Sequence, residues 1–197
     1  MKPEILAKWA AGFALLALSI GSPALAQTVT FSDINDAVAG RFYDAATTAP
    51  DPLNPNKLII GFNSGIDPKT WINKAFTAST AAFNSKSAMD TISFRIHAPD
   101  GYYISKITYS QRGTGSISRT GSAAGGTHWV IDDAAEGIGG FGTNPTFSRA
   151  IDLTGQHKTF IPVSITNAMI VFSTPQLGSA SLSVTGADVL VELLPLP

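Results

Sequence analysis

The chain has 197 residues, no cysteine, and a formal net charge of −1 from 13 lysines and arginines against 14 aspartates and glutamates. A near-neutral chain whose basic residues are scattered singly offers no electrostatic basis for binding nucleic acid or an anionic membrane. The absence of cysteine excludes disulfides, thiol nucleophiles and thiolate metal sites, so the hydrophobic core must stabilise the fold.

Residues 1–26 have the composition of a secretory signal peptide. Two lysines precede the apolar run WAAGFALLALSI, and the segment ends in Ala-Leu-Ala, the small-x-small pattern that a signal peptidase reads. The apolar run is shorter than the roughly 20 residues that a membrane-spanning helix needs. We therefore expect cleavage between Ala26 and Gln27, release to the extracellular space or the periplasm, and no transmembrane segment in the mature chain. Residues 27–197 then form a single domain.

The first predicted element of this domain is a short helix over residues 32–45, SDINDAVAGRFYDA. Ser32 is its expected N-cap, and Ile34, Val38 and Phe42 recur every four residues, which is the spacing of one helix face. A Pro-rich loop follows the helix.

Alternation of apolar and polar residues predicts strands through the rest of the chain. In DTISFRIH, residues 90–97, isoleucine and phenylalanine alternate with serine, arginine and histidine, as in a strand with one buried and one solvated face. Further strands are predicted at 57–63, 102–110, 115–120, 127–132, 147–153, 159–166, 168–173 and 180–193. Their spacing predicts an all-β fold, an antiparallel β-sandwich of jelly-roll or immunoglobulin-like type.

The segment HAPDGYYISKITYSQRGTGS, residues 97–116, is predicted to be a hairpin. Pro-Asp-Gly at 99–101 forms its first turn, and glycines at 113 and 115, 125 and 126, and 139 and 140 are predicted to occupy turns that need a positive φ. One side of its pleat carries Tyr103, Ser105, Ile107 and Tyr109, and the other carries Tyr102, Ile104, Lys106 and Thr108. Because an unpaired lysine is costly to bury, the first side is predicted to face the core.

Three stretches carry a resemblance to a known kind of protein: DTISFRIHAPDGYYISKITYSQRGTGSISRTGSAAGG, IDLTGQHKTFIPVSIT and ADVLVELLPLP. They resemble short secreted bacterial proteins that often carry a PEP-CTERM tail for sorting by exosortase. The sequence as it stands ends at Pro197 without that tail, so the resemblance does not imply sorting by that machinery. It implies a secreted or surface protein without assigned chemistry.

The sequence contains no recognisable catalytic signature, and we expect no enzymatic activity. It lacks the G-x-S-x-G, H-E-x-x-H and phosphate-binding loop motifs. His128 is the best catalytic candidate because Asp132 shares its side of a strand, but four strand residues span about 13 Å, which prevents a direct hydrogen bond. The neighbouring carboxylates Asp132, Asp133 and Glu136 are instead a candidate calcium site, and no other cofactor is predicted.

Three functions are therefore compatible with the sequence. The first is a non-catalytic surface or extracellular-matrix protein that associates with envelope components, the second is a carbohydrate-binding module that recognises extracellular polysaccharide, and the third is a secreted hydrolase. The candidate ligand-binding residues are Tyr102 and Lys106, together with Trp71 in DPKTWINKAF. Trp129 alternates in phase with Ile131 and is predicted to be a core residue.

Overall fold

The structure is a computed structural model, and it describes residues 27–37, 42–62, 84–118, 121–132, 134–173 and 179–197. Its strands are β1 (Thr30–Asp36), β2 (Ala49–Asp51), β3 (Asn54–Ile60), β4 (Asn84–His97), β5 (Tyr102–Ser118), β6 (Ser122–Ile131), β7 (Ala134–Phe141), β8 (Phe147–Asp152), β9 (Phe160–Ser173) and β10 (Ser179–Pro195). A 3-10 turn at Thr154–Gln156 precedes β9. In the described part of the chain, no helix is long and apolar enough to cross a membrane.

The strands form two antiparallel sheets that pack face to face. The front sheet has the order β1-β4-β9-β6-β7, and the back sheet has the order β2-β3-β10-β5-β8. From β3 onward, every connection except that between β6 and β7 crosses from one sheet to the other. The interleaved sets β4-β9-β6-β7 and β3-β10-β5-β8 are the two sheets of a jelly roll, with β1 and β2 added at their edges. The predicted β-sandwich is confirmed, and its strand order is that of the jelly-roll alternative.

The core fills the space between the sheets with side chains from alternate strand positions. β9 shows the pattern clearly, because Ile161, Val163 and Ile165 are buried while the residues between them lie on the outer face. Each fully buried aliphatic side chain contributes about 1.5–3 kcal/mol relative to exposure, so this alternation is the main source of stability. Trp129 is 1% exposed, which confirms its predicted place in the core. Its ring meets that of Tyr109 edge to face, with the centroids 5.3 Å apart.

A cluster of polar side chains is buried within this core. Asn167 Nδ2 donates hydrogen bonds to the Tyr43 hydroxyl at 2.6 Å and to Gln111 Oε1 at 2.9 Å. The Tyr109 hydroxyl donates to the same Gln111 oxygen at 2.7 Å, and the Thr127 hydroxyl donates to Asn167 Oδ1. Because a buried polar atom without a partner is costly, these bonds favour one arrangement of β5, β6, β9 and the segment that carries Tyr43.

The helix predicted over residues 32–45 is wrong, since the described part of that segment begins with β1. β1 pairs with β4, with Phe31 opposite Ile96, and a bulge follows Ser32. Asp33 in this bulge has φ 51°, a left-handed conformation that aspartate tolerates better than most residues. Pairing with β4 therefore outweighs a helical spacing that was interrupted by the poor helix formers Asp and Asn. Residues 38–41, which include Val38, lie outside the described residues.

The hairpin predicted at residues 97–116 is also wrong. The Pro-Asp-Gly turn forms, with Gly101 at φ 80° and the Tyr102 amide donating to the Pro99 carbonyl at 3.1 Å. However, the turn connects β4 of the front sheet to β5 of the back sheet, so it makes a corner between sheets.

The glycines assigned to turns lie within strands instead. Those at 113 and 115 belong to β5, those at 125 and 126 to β6, and those at 139 and 140 to β7. At Gly113 the requirement is space, because a Cβ atom there would come within 2.2 Å of the Ser183 carbonyl oxygen on β10. The strands therefore continue through these glycines. β5 joins the two strands predicted at 102–110 and 115–120, and β7 is a strand that the sequence pattern does not predict.

A bulge in β5 changes which of its residues face the core. Lys106 lies opposite Glu192 and Ile104 lies opposite Leu193, so Ser105 is an extra residue that reverses the alternation. Ile107 and Tyr109 are buried, as predicted. Ile104 is fully buried as well, and its predicted place on the outward side with Lys106 is wrong.

Candidate functional site

The outer face of the front sheet carries short serine and threonine side chains at the centre of β4 and β9. The register of β4, β9 and β6 places Ser93, Ser164 and Val130 in one row across the sheet, and Thr91, Thr166 and His128 in the next. These side chains alternate with buried ones, so they point away from the core. The serines and threonines of β4 and β9 are short, so a ligand can approach the sheet over these two strands.

A cavity of about 540 Å³ opens on this face, where β1 meets β4 and β9. Its lining comes from residues 33–35 of β1, 93–95 of β4, 162–164 of β9 and Val130 of β6. The volume lies within the range of about 300–1,000 Å³ that small-molecule sites occupy. We call this cavity the polar groove.

An exposed ion pair stands at the rim of the polar groove. Arg95 Nη1 donates to Asp33 Oδ2 at 2.7 Å, and the two side chains are 55% and 60% exposed. An exposed pair of this kind contributes about 0–1 kcal/mol to stability, so the fold itself does not require it. The guanidinium retains further N–H donors, the carboxylate retains further lone pairs, and both side chains are more than half exposed.

An aromatic ring lies next to the ion pair. Phe160, the first residue of β9, is 42% exposed. The guanidinium carbon of Arg95 lies 5.9 Å from the centroid of its ring, and the centroid of the His97 ring lies 4.9 Å away. His97 is held in turn by Ser32, whose hydroxyl lies 3.0 Å from Nε2. The polar groove is thus bordered by the flat apolar ring of Phe160. The neighbouring side chains Arg95 and His97 are held by their hydrogen bonds to Asp33 and Ser32.

The predicted ligand-binding residues lie elsewhere. The Tyr102 side chain is half-buried, and its hydroxyl accepts a hydrogen bond from Gln27. Lys106 Nζ lies 2.7 Å from Glu192 Oε1 on the outer face of the back sheet. Because the bulge at Ser105 separates them, the structure does not bring Tyr102 and Lys106 to one face. Trp71 lies outside the described residues.

The candidate calcium site is described only at Asp132. The Asp132 carboxylate forms an ion pair with Lys158, so a cation at this position would have to displace the lysine ammonium. Asp133 lies outside the described residues, and only the backbone of Glu136, opposite Trp129 on β6, is described. Within the described ranges, no three histidine, aspartate or glutamate side chains form a group that could hold a metal ion.

The histidines do not meet a carboxylate in a catalytic arrangement among the described residues. His128 is exposed on the outer face of the front sheet, opposite Thr166, while Asp132 pairs with Lys158. His157 is exposed, and its ring packs edge to face against Tyr103 with the centroids 4.8 Å apart. The polar groove is therefore the candidate functional site.

Phe160, Asp33 and Asn35 are not among the binding residues predicted from the sequence. Phe160 has a usable signal, since the inward phase of Ile161 on β9 puts its neighbour outside. Asp33 and Asn35 lie in the segment predicted to begin a helix, so the sequence pattern does not place them on an open face of a sheet. Their place in the groove depends on β1 pairing with β4, which no local pattern reveals.

No family model matches the chain, and no curated protein matches it either.

Proposed function

We propose that this protein is a non-catalytic binding protein of the bacterial envelope or extracellular matrix, exported after removal of residues 1–26, and that it binds polysaccharide in the polar groove. The observation that carries the proposal is the exposed Phe160 ring beside the Arg95–Asp33 ion pair, at the rim of a cavity of about 540 Å³. The resemblance to secreted bacterial proteins implies the same compartment.

The chemistry of this rim matches that of a sugar ring. A sugar presents adjacent hydroxyls, each of which is both donor and acceptor, and apolar faces of C–H groups. Adjacent hydroxyls can accept from the Arg95 guanidinium and donate to the Asp33 carboxylate, which lie 2.7 Å apart. The ring of Phe160 offers an apolar surface for the C–H face. Since the two charges at the rim cancel, a neutral polysaccharide is favoured over an acidic one.

The acidic side chain that lines the described part of the polar groove favours binding without catalysis, because it is paired with a cation. Glycoside hydrolysis ordinarily needs two carboxyl groups on either side of the scissile bond. Among the described residues that line the polar groove, Asp33 supplies the carboxylate, and Arg95 is its partner. A charge-paired carboxylate suits a hydrogen-bond acceptor, which is the role given to it here.

The test measures the affinity of the purified protein for a panel of soluble neutral and acidic polysaccharides by affinity electrophoresis. Arg95→Ala and Phe160→Ala are each expected to weaken binding about tenfold, the loss typical of a central contact. Lys106→Ala is the matched control, because it removes the cation of another exposed ion pair with a 2.7 Å contact, on the back sheet. It is expected to bind like the unmodified protein.

Two results would contradict the proposal. If Lys106→Ala or Tyr102→Ala weakens binding while Arg95→Ala does not, the ligand binds near the back sheet and the polar groove is the wrong site. If no polysaccharide in the panel binds, the protein is not a glycan-binding module.

A further inference from the structure

A second cavity of about 490 Å³ opens on the same outer face of the front sheet. It is lined by Ser87 and Met89 of β4, residues 124–126 of β6 and residues 168–170 of β9. In the register of the sheet, Met89 lies opposite Ala168, and Ala168 lies opposite Gly126. Met89 is 63% exposed at the rim. We call this cavity the apolar groove.

The chemistry of the apolar groove differs from that of the polar groove. Its lining residues are alanine, glycine, methionine and isoleucine, with Ser87 as the one side chain that carries a hydroxyl. The backbone groups beneath it belong to the paired strands β4, β9 and β6. A sugar placed there would give up hydrogen bonds to water without replacement, which is unfavourable. An apolar chain would give up no hydrogen bonds to water. It would gain contact with the small residues, which allow it to approach the sheet closely.

The two grooves follow one another along the outer face of β9. Four strand residues separate Ser164 in the polar groove from Ala168 in the apolar groove, a distance of about 13 Å. Between them, the hydroxyls of Thr91 and Thr166 lie 2.7 Å apart and hydrogen-bond to each other. This pair satisfies itself and is short, so a ligand can pass over β4 and β9 from one groove to the other, beside the exposed His128 of β6.

We propose that the ligand is amphiphilic: an acylated or lipid-linked glycan whose sugar occupies the polar groove and whose hydrocarbon chain lies along the apolar groove. This inference rests on the proposed function, since it assigns the sugar to the groove bordered by Arg95 and Phe160. It adds the hydrocarbon part and the residues that contact it, Met89, Ala168 and Ile170.

The experiment compares hexyl, octyl and decyl β-glucosides, each below its critical micelle concentration, by NMR titration of the purified protein. Each fully buried methylene is expected to tighten binding about fourfold. For an open groove that covers part of the chain, decyl glucoside should bind at least about tenfold more tightly than hexyl glucoside. Ala168→Glu, which places a carboxylate in the apolar groove, should abolish this dependence on chain length and leave polysaccharide binding intact.

The matched control is Ala150→Glu, the same substitution at an exposed residue of β8 on the back sheet. It should keep the full dependence on chain length. Affinity that is equal for all three glucosides, in a protein whose polysaccharide binding still depends on Arg95, would overturn this inference and leave the proposed function standing. A dimer in sedimentation that Ala168→Glu dissociates would assign the apolar groove to a second copy of the chain, and would also overturn it.

Discussion

Tyr109→Ala is expected to lower the free energy of unfolding by about 3–5 kcal/mol, as other aromatic deletions in cores do. Tyr109 is 0% exposed, and its ring lies between Trp129 and Phe147, at centroid distances of 5.3 and 5.8 Å. The substitution leaves a cavity among these rings. It also removes the hydroxyl that donates to Gln111 Oε1 at 2.7 Å and accepts from Asn167 Nδ2 at 3.4 Å, so the buried polar cluster loses both bonds. Denaturant unfolding monitored by circular dichroism measures the change.

Two further variants separate the causes of this loss. Tyr109→Phe keeps the ring and removes the hydroxyl, so it should cost about 1–2 kcal/mol. Tyr102→Ala removes a half-buried ring of the same strand and should cost less than about 1 kcal/mol. A Tyr102 variant that is less stable than the Tyr109→Ala variant would mean that the inward face of β5 is assigned incorrectly.

Stability is expected to fall steeply in alkali because two of the four tyrosines are buried in the polar cluster. Burial raises the pKa of Tyr43 and that of Tyr109 well above their usual value. A pKa that is higher in the folded than in the unfolded protein means that folding favours the protonated phenol. The corresponding stability is complete below about pH 10, where the unfolded tyrosine titrates, and is lost as the pH rises above it.

An alkaline titration that follows phenolate absorbance and circular dichroism together tests this expectation. Tyr43 and Tyr109 should ionise only as the strand signal is lost. Tyr109→Phe should leave one tyrosine that ionises with unfolding. Ionisation of all four tyrosines in a protein that keeps its strand spectrum would contradict the burial of the cluster.

Long strands with strict alternation of apolar and polar residues can be predicted from the sequence, whereas the strands with which they pair cannot. The inward positions of β4 and β9 follow from period two alone, and so does the burial of Trp129. Whether the turn ending at Gly101 makes a hairpin or a corner depends on β5 pairing with β10, which lies far along the chain. The bulge at Ser105 is likewise set by that pairing, whereas the sequence pattern predicts one unbroken alternation through residues 102–109.

The faces on which the residues of the polar groove lie can likewise be predicted from the sequence, but their proximity to one another cannot. The pattern of each strand puts Arg95 and Phe160 on solvated faces, but it does not say that these faces are one. Their proximity comes from the register of β4 against β9, in which His97 lies opposite Phe160. Asp33 reaches the groove only because β1 adds to the edge of β4 and bulges after Ser32. Register is fixed by long-range packing, so the groove becomes visible only when the two sheets are assembled.

Backbone amide chemical shifts, followed by NMR while a bound polysaccharide or alkyl glycoside is titrated in, locate the ligand most directly. Binding in the polar groove predicts the largest shifts at residues 33–35, 91–97 and 160–166, with little change at residues 102–110 of the back sheet. The largest shifts at 102–110, with residues 91–97 and 160–166 unchanged, would contradict the assignment of the ligand to the front sheet.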